Sequence, residues 1–127
     1  MRERPLSPHL QVYRWPLSMA LSILHRASGG FLALGSAMLV WWLMTVASGG
    51  EAHARFLAFA GSAAGQALLL LWTAALVYHL LNGVRHLAWD AGWGYEKSRT
   101  RATGIAVLAG TVALTAAIWL LARGGAA

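Results

Sequence analysis

AAGQALLLLWTAALVYHLLNGVRHLA, residues 63–88, is an apolar run with a histidine, His79, inside it and Arg85 and His86 close to its end. A spanning helix needs about 20 predominantly apolar residues, and this stretch is long enough. Two further stretches meet the same requirement. One runs from about Ser22 to Ala47, with Leu39, Val40, Trp41, Trp42, Leu43 and Met44 towards its far end and His25 and Arg26 near its start. The other runs from about Thr103 to Ala122 and carries no charge until Arg123. Between them, Ser48 to Glu51 and Gly92 to Arg101 read as polar turns. The expected fold is an all-α membrane protein of three transmembrane helices, forming a single anchor domain over residues 1–127.

Composition agrees with a bilayer as solvent: 58% of the 127 residues are hydrophobic and 11% are charged, against about 25% charged in soluble domains. The length leaves no room for a soluble catalytic domain. The absence of cysteine excludes a protein-held iron–sulfur cluster, a zinc–thiolate site, a disulfide and thioether-linked haem. Any redox cofactor must therefore use other ligands, and the five histidines supply them. The net charge of +6 reads as a topology signal rather than as affinity for nucleic acid. Arg2, Arg4, Arg14, Arg26, Arg85, Lys97, Arg99 and Arg101 fall on one side of the spans, and Arg55 and Arg123 on the other. That asymmetry predicts a cytoplasmic N-terminus. Residues 1–21 form a cytoplasmic or interfacial segment in which Pro5, Pro8 and Pro16 forbid a continuous helix. No apolar h-region with a cleavage site comes directly after Met1, so the first span is expected to act as an uncleaved insertion signal.

His79 lies two to three turns inside its span, where an ionisable group is expensive and marks a functional site by default. At 3.6 residues per turn, His79, Gly83 and His86 fall near one face, with Trp72 and Ala75 continuing it inward. Gly83 leaves space for something flat, and a neutral imidazole is a good iron ligand. The plainer alternative is that His79 bonds a neighbouring helix. Arg85 and His86, where the helix leaves the hydrocarbon, suit the anionic propionates of a haem edge. His86 lies about 10.5 Å along the same axis from His79, so one helix cannot put both on one iron. His9 and His53 fall in exposed segments and His25 near a span's start, so a second histidine ligand is expected from another chain. The helices then form part of a heteromeric bundle. On the first span, Ser22 and Arg26 are four residues apart and neighbours on the helix surface. They offer a hydroxyl and a fixed cation at the depth where a lipid-soluble quinone needs donors; the alternative is an arginine that snorkels to the headgroups.

Two stretches, RPLSPHLQVY (4–13) followed by SILHRASG (22–29), and HLLNGVRHLAWD (79–90), resemble the signatures of the succinate dehydrogenase cytochrome b subunit family. The resemblance implies an assembly in which a flavoprotein subunit oxidises succinate and an iron–sulfur subunit carries the electrons. Two membrane anchor subunits then hold one haem b and a ubiquinone site. By motif, His79 would be the haem axial ligand supplied here, and Ser22 and Arg26 would line the quinone site. His25, Arg26 and His86 would lie near the haem propionates, and Trp15 would approach the quinone pocket. A bacterial inner membrane is the expected location, ahead of the mitochondrial inner membrane. A fumarate reductase anchor and a non-enzymatic membrane scaffold are the competing readings.

Overall fold

The computed structural model describes residues 15–125, and within them the chain is helical, with no strand. The elements are α1 (Leu17–Ser48), α2 (Gly50–Gly61), α3 (Ala63–Asp90) and α4 (Lys97–Gly124). Three of them, α1, α3 and α4, are long and apolar enough to cross a membrane, in accord with the expected fold. Their 32, 28 and 28 residues are more than the hydrocarbon core requires at about 1.5 Å per residue. The surplus turns account for two differences from the sequence reading. α1 begins at Leu17, ahead of the expected start near Ser22, and α4 begins at Lys97 rather than near Thr103. An apolar run marks the part of a helix that lies in hydrocarbon; Lys97, Arg99 and Arg101 continue the helix beyond it as exposed side chains. Pro16 is the physical start of α1: its φ is −68°, and its carbonyl accepts from the backbone N–H of Met19 at 3.0 Å and Ala20 at 3.3 Å. A proline cannot continue a helix from its N-terminal side, but its fixed φ suits the opening of a new one.

The connection after the first span is itself helical. α1 ends where Gly49 and Gly50 take φ of +64° and +54°, a left-handed conformation that favours glycine, and α2 then covers the expected loop. Phe56 is its buried residue and meets Trp41 of α1 edge-on at 4.8 Å. Ser62 turns the chain into α3, its hydroxyl accepting from the Gly65 N–H at 3.1 Å, an N-cap. Gly65 lies so close to the Phe59 carbonyl that a Cβ would collide with backbone. The sharp α2–α3 corner therefore needs a glycine.

α3 is the central helix, packed against both α1 and α4. Leu21, Tyr78 and Val107 form a buried cluster, with Leu17 and Leu81 against it. These residues sit where α1 begins, α3 ends and α4 begins. The Tyr78 hydroxyl donates to the Leu21 carbonyl at 2.6 Å across the α1–α3 interface. Elsewhere large apolar side chains point outward: Leu34 and Leu121 are 77% exposed and Val112 and Leu120 72%. A surface of that kind is stable only against lipid or another apolar partner.

Candidate functional site

At the packed end, α1 and α3 cross through two reciprocal notches. His25 and Gly29 are one turn apart on α1, and His79 and Gly83 one turn apart on α3. The His79 ring lies against Gly29, where a Cβ would stand 3.1 Å from its Cε1, and the His25 ring lies against Gly83, where a Cβ would be 3.9 Å from its Cε1. The flat group beside Gly83 is thus the imidazole of His25. His25 stacks on His79 with centroids 3.9 Å apart and planes 10° from parallel. On its other side it faces His86 at 5.1 Å and 15°. Three of the residues singled out from the sequence therefore form one imidazole stack.

Hydrogen bonds fix which nitrogens of these rings are free. His79 Nδ1 lies 3.2 Å from the His25 carbonyl oxygen and 3.1 Å from the Ser28 hydroxyl, while that hydroxyl donates to the same carbonyl at 2.8 Å. A carbonyl only accepts, and the serine proton is already committed to it. His79 must then carry its proton on Nδ1, leaving a lone pair on Nε2. Among the described residues nothing hydrogen-bonds to that Nε2. His86 is held likewise, with Nδ1 donating to the Asn82 carbonyl at 2.8 Å. His25 differs: its Nδ1 is buried and has no hydrogen-bond partner among the described residues.

Ser22 and Arg26 lie one turn apart on α1, Ser22 half-buried and Arg26 exposed. Neither the hydroxyl nor the guanidinium engages a described residue. Trp15 is 50% exposed and precedes α1, on the far side of Pro16 from the stack. His9 lies outside the described residues. His53 is half-buried in α2, its Nδ1 at 3.5 Å from the Thr45 hydroxyl, rather than in an exposed loop.

Arg85 departs from the sequence reading. The pattern puts it at the edge of the span facing an anionic group, but it turns towards α4 and is 6% exposed. Its Nε donates to Thr103 at 3.1 Å, one terminal nitrogen to the Thr100 carbonyl at 3.0 Å and the other to Asn82 at 3.3 Å. The guanidinium also lies 4.1 Å over the Trp89 ring. A helical wheel places Arg85 at the span's exit but does not show that Thr100 and Thr103 lie opposite. Two further contributors, Ser28 and Tyr78, do not stand out in the sequence, since a helical serine ordinarily bonds its own backbone. The signal for Ser28 is its place three residues after His25.

The fold and site are those of a helical membrane protein with an imidazole stack at the crossing of its first two spans. The sequence pattern of the succinate dehydrogenase/fumarate reductase transmembrane subunit matches residues 1–118, and the chain belongs to that family. Among its relatives, the succinate dehydrogenase cytochrome b556 subunit of Rickettsia felis is 36% identical over 93% of this chain and 92% of its own. That of Paracoccus denitrificans is 42% identical over 87% and 85%. The mitochondrial cytochrome b560 subunit of Bos taurus is 41% identical over 86% of this chain and 66% of its own. These relatives are membrane subunits of an enzyme complex, in keeping with an anchor role for this chain.

Proposed function

We propose that this chain is the haem b-binding membrane anchor subunit of a succinate dehydrogenase, helping to pass electrons from succinate, through an iron–sulfur subunit, to ubiquinone. The observation that carries the reading is the lone pair on His79 Nε2, unspent among the described residues while Nδ1–H is tethered to the His25 carbonyl. This is the arrangement of a metal-ligating histidine, whose other ring nitrogen donates to a carbonyl. Haem b, when bound, supplies a one-electron redox centre beside the quinone. Among the described residues no histidine on another helix has its Nδ1 tied to a carbonyl, so a second membrane anchor subunit would supply the other haem ligand.

The remaining groups have roles that suit their chemistry. The exposed Arg26 is available to haem propionates, and His25, one residue before it and part of the imidazole stack, is assigned to the same edge. His86, its Nδ1–H tied to the Asn82 carbonyl, is assigned to the propionate side of the same stack. Ser22 and Arg26 form the quinone-facing pair: the hydroxyl donates to a quinone carbonyl, and the guanidinium stabilises negative charge as the quinone is reduced. Trp15 is assigned to the edge of that pocket. The flavoprotein and iron–sulfur subunits dock on the same end, cytoplasmic in a bacterial inner membrane, and residues 1–127 act as one anchor unit. The family also contains fumarate reductase subunits; the relatives from Rickettsia felis and Paracoccus denitrificans carry succinate dehydrogenase names, which favours the oxidative direction.

The test is a reduced-minus-oxidised visible spectrum of the complex purified through this chain, with succinate-driven quinone reduction measured alongside. A b-type spectrum with turnover, and loss of the haem bands in His79→Ala, is the expected result. An assembled His79→Ala complex with an unaltered haem spectrum sinks the ligand assignment, and an intact, colourless, inactive wild-type complex sinks the whole reading.

A further inference from the structure

We infer that Ser28 is a positioning residue for the haem ligand, fixing the tautomer of His79 and setting the donor strength of its Nε2. The inference rests on the proposal that His79 binds iron, and deepens it. Ser28 is buried, 6% exposed. Its hydroxyl, the His25 carbonyl and His79 Nδ1 form a closed triangle with sides of 2.8, 3.1 and 3.2 Å. Only one distribution of protons satisfies all three atoms: the serine donates to the carbonyl, and His79 shares its Nδ1–H between carbonyl and hydroxyl. With the proton on Nε2 instead, the Nδ1 lone pair would face the carbonyl lone pairs, and one serine proton would have two acceptors to serve.

The consequence for a metal is electronic as well as geometric. An imidazole whose N–H is given to two oxygens gains anionic character, and its other nitrogen becomes a stronger donor that favours ferric over ferrous iron. The ring is held besides by contact with Gly29 and by stacking on the His25 imidazole. Ser28 thus acts on the iron without touching it. Its own helix supplies the reason it can: the hydroxyl bonds the carbonyl three residues back, which aims its oxygen into the α1–α3 crossing.

The test is a redox titration and low-temperature EPR of haem in the whole membrane complex. In Ser28→Ala the haem is retained and its midpoint becomes more positive. The expected size is about a tenfold rise in the ferrous-to-ferric ratio at fixed potential, equivalent to about 59 mV for one electron, with a changed low-spin ferric signal. Ser28→Thr, which keeps the hydroxyl, restores both. A Ser28→Ala complex of normal haem content with an unchanged or more negative midpoint overturns the inference. Should the alanine variant lose haem, Ser28→Cys, with a weak hydrogen-bonding group of similar size, is titrated against the same criteria. The outcome stays separable from the parent reading. An unaltered haem spectrum in His79→Ala defeats both, whereas haem loss in His79→Ala with no shift at Ser28 defeats this one alone.

Discussion

Gly29 and His79 are in contact across the α1–α3 crossing: a Cβ on Gly29 would stand 3.1 Å from His79 Cε1, so the ring would have to give by a few tenths of an ångström to admit a methyl group. Its counterpart is looser, since a Cβ on Gly83 would meet His25 Cε1 at 3.9 Å, an ordinary van der Waals distance. The two notches therefore differ in what they tolerate. Gly29→Ala is expected to push the His79 ring from its tether and alter the haem spectrum, while Gly83→Ala leaves it unchanged. Paired spectra of the two variant complexes check this, and an unperturbed Gly29→Ala spectrum would show that the helices part without disturbing the ring.

Ser22→Ala should slow quinone reduction about tenfold at limiting quinone, the effect of losing one hydrogen bond to a group that gains charge. Haem absorbance and the reduction of a soluble dye by succinate should both stay intact, because neither uses the Ser22 hydroxyl. Full quinone reductase activity in this variant would remove Ser22 from the pocket.

Arg85 ties α3 to α4 through Thr103, the Thr100 carbonyl and Asn82. Replacing it by alanine is expected to cost about 3 kcal/mol, since hydrogen bonds to a charged group are each worth about 1.5–3 kcal/mol and are not additive. Arg85→Lys should recover little, because an ammonium lacks the planar fork that reaches three acceptors. Thermal inactivation of the purified complex reads both variants; stability equal to the wild type would mean that the network is dispensable.

Tyr78→Phe keeps the ring in the Leu21 and Val107 cluster and removes only the hydroxyl that donates to Leu21. A loss of about 1 kcal/mol is expected, with an unaltered haem spectrum. A shifted spectrum would reveal that this bond also sets the α1–α3 register at His79.

The three spans were legible because long apolar runs have few alternative fates, and His79 because an imidazole in such a run demands a reason. α2 was not legible. Its twelve residues include Glu51, His53 and Arg55 and are too short and too polar to stand out as a span, and they become a helix by packing Phe56 on Trp41. The positions of His25, His79 and His86 could be read off, but their stacking could not, since it depends on the register of α1 against α3. The orientation of Arg85 was hidden for the same reason: its partners lie across an interface that no single helix reveals.

The turn between α3 and α4 is short, and the chain ties it down from several sides. Gly92 and Gly94 adopt φ of +82° and +89°, and the Gly94 carbonyl accepts from the Trp89 indole at 3.3 Å and the Thr100 hydroxyl at 3.2 Å. The backbone N–H of Trp93 returns to the Ala88 carbonyl at 2.9 Å. Yet Trp93 and Tyr95 on that turn are 57% and 64% exposed. An ordered backbone that displays two largely exposed aromatic rings, Trp93 beneath Arg99 and Tyr95 stacked on Trp89, has little freedom left to lose, so a protein settling on it would be spared most of the loop-ordering entropy that association usually carries.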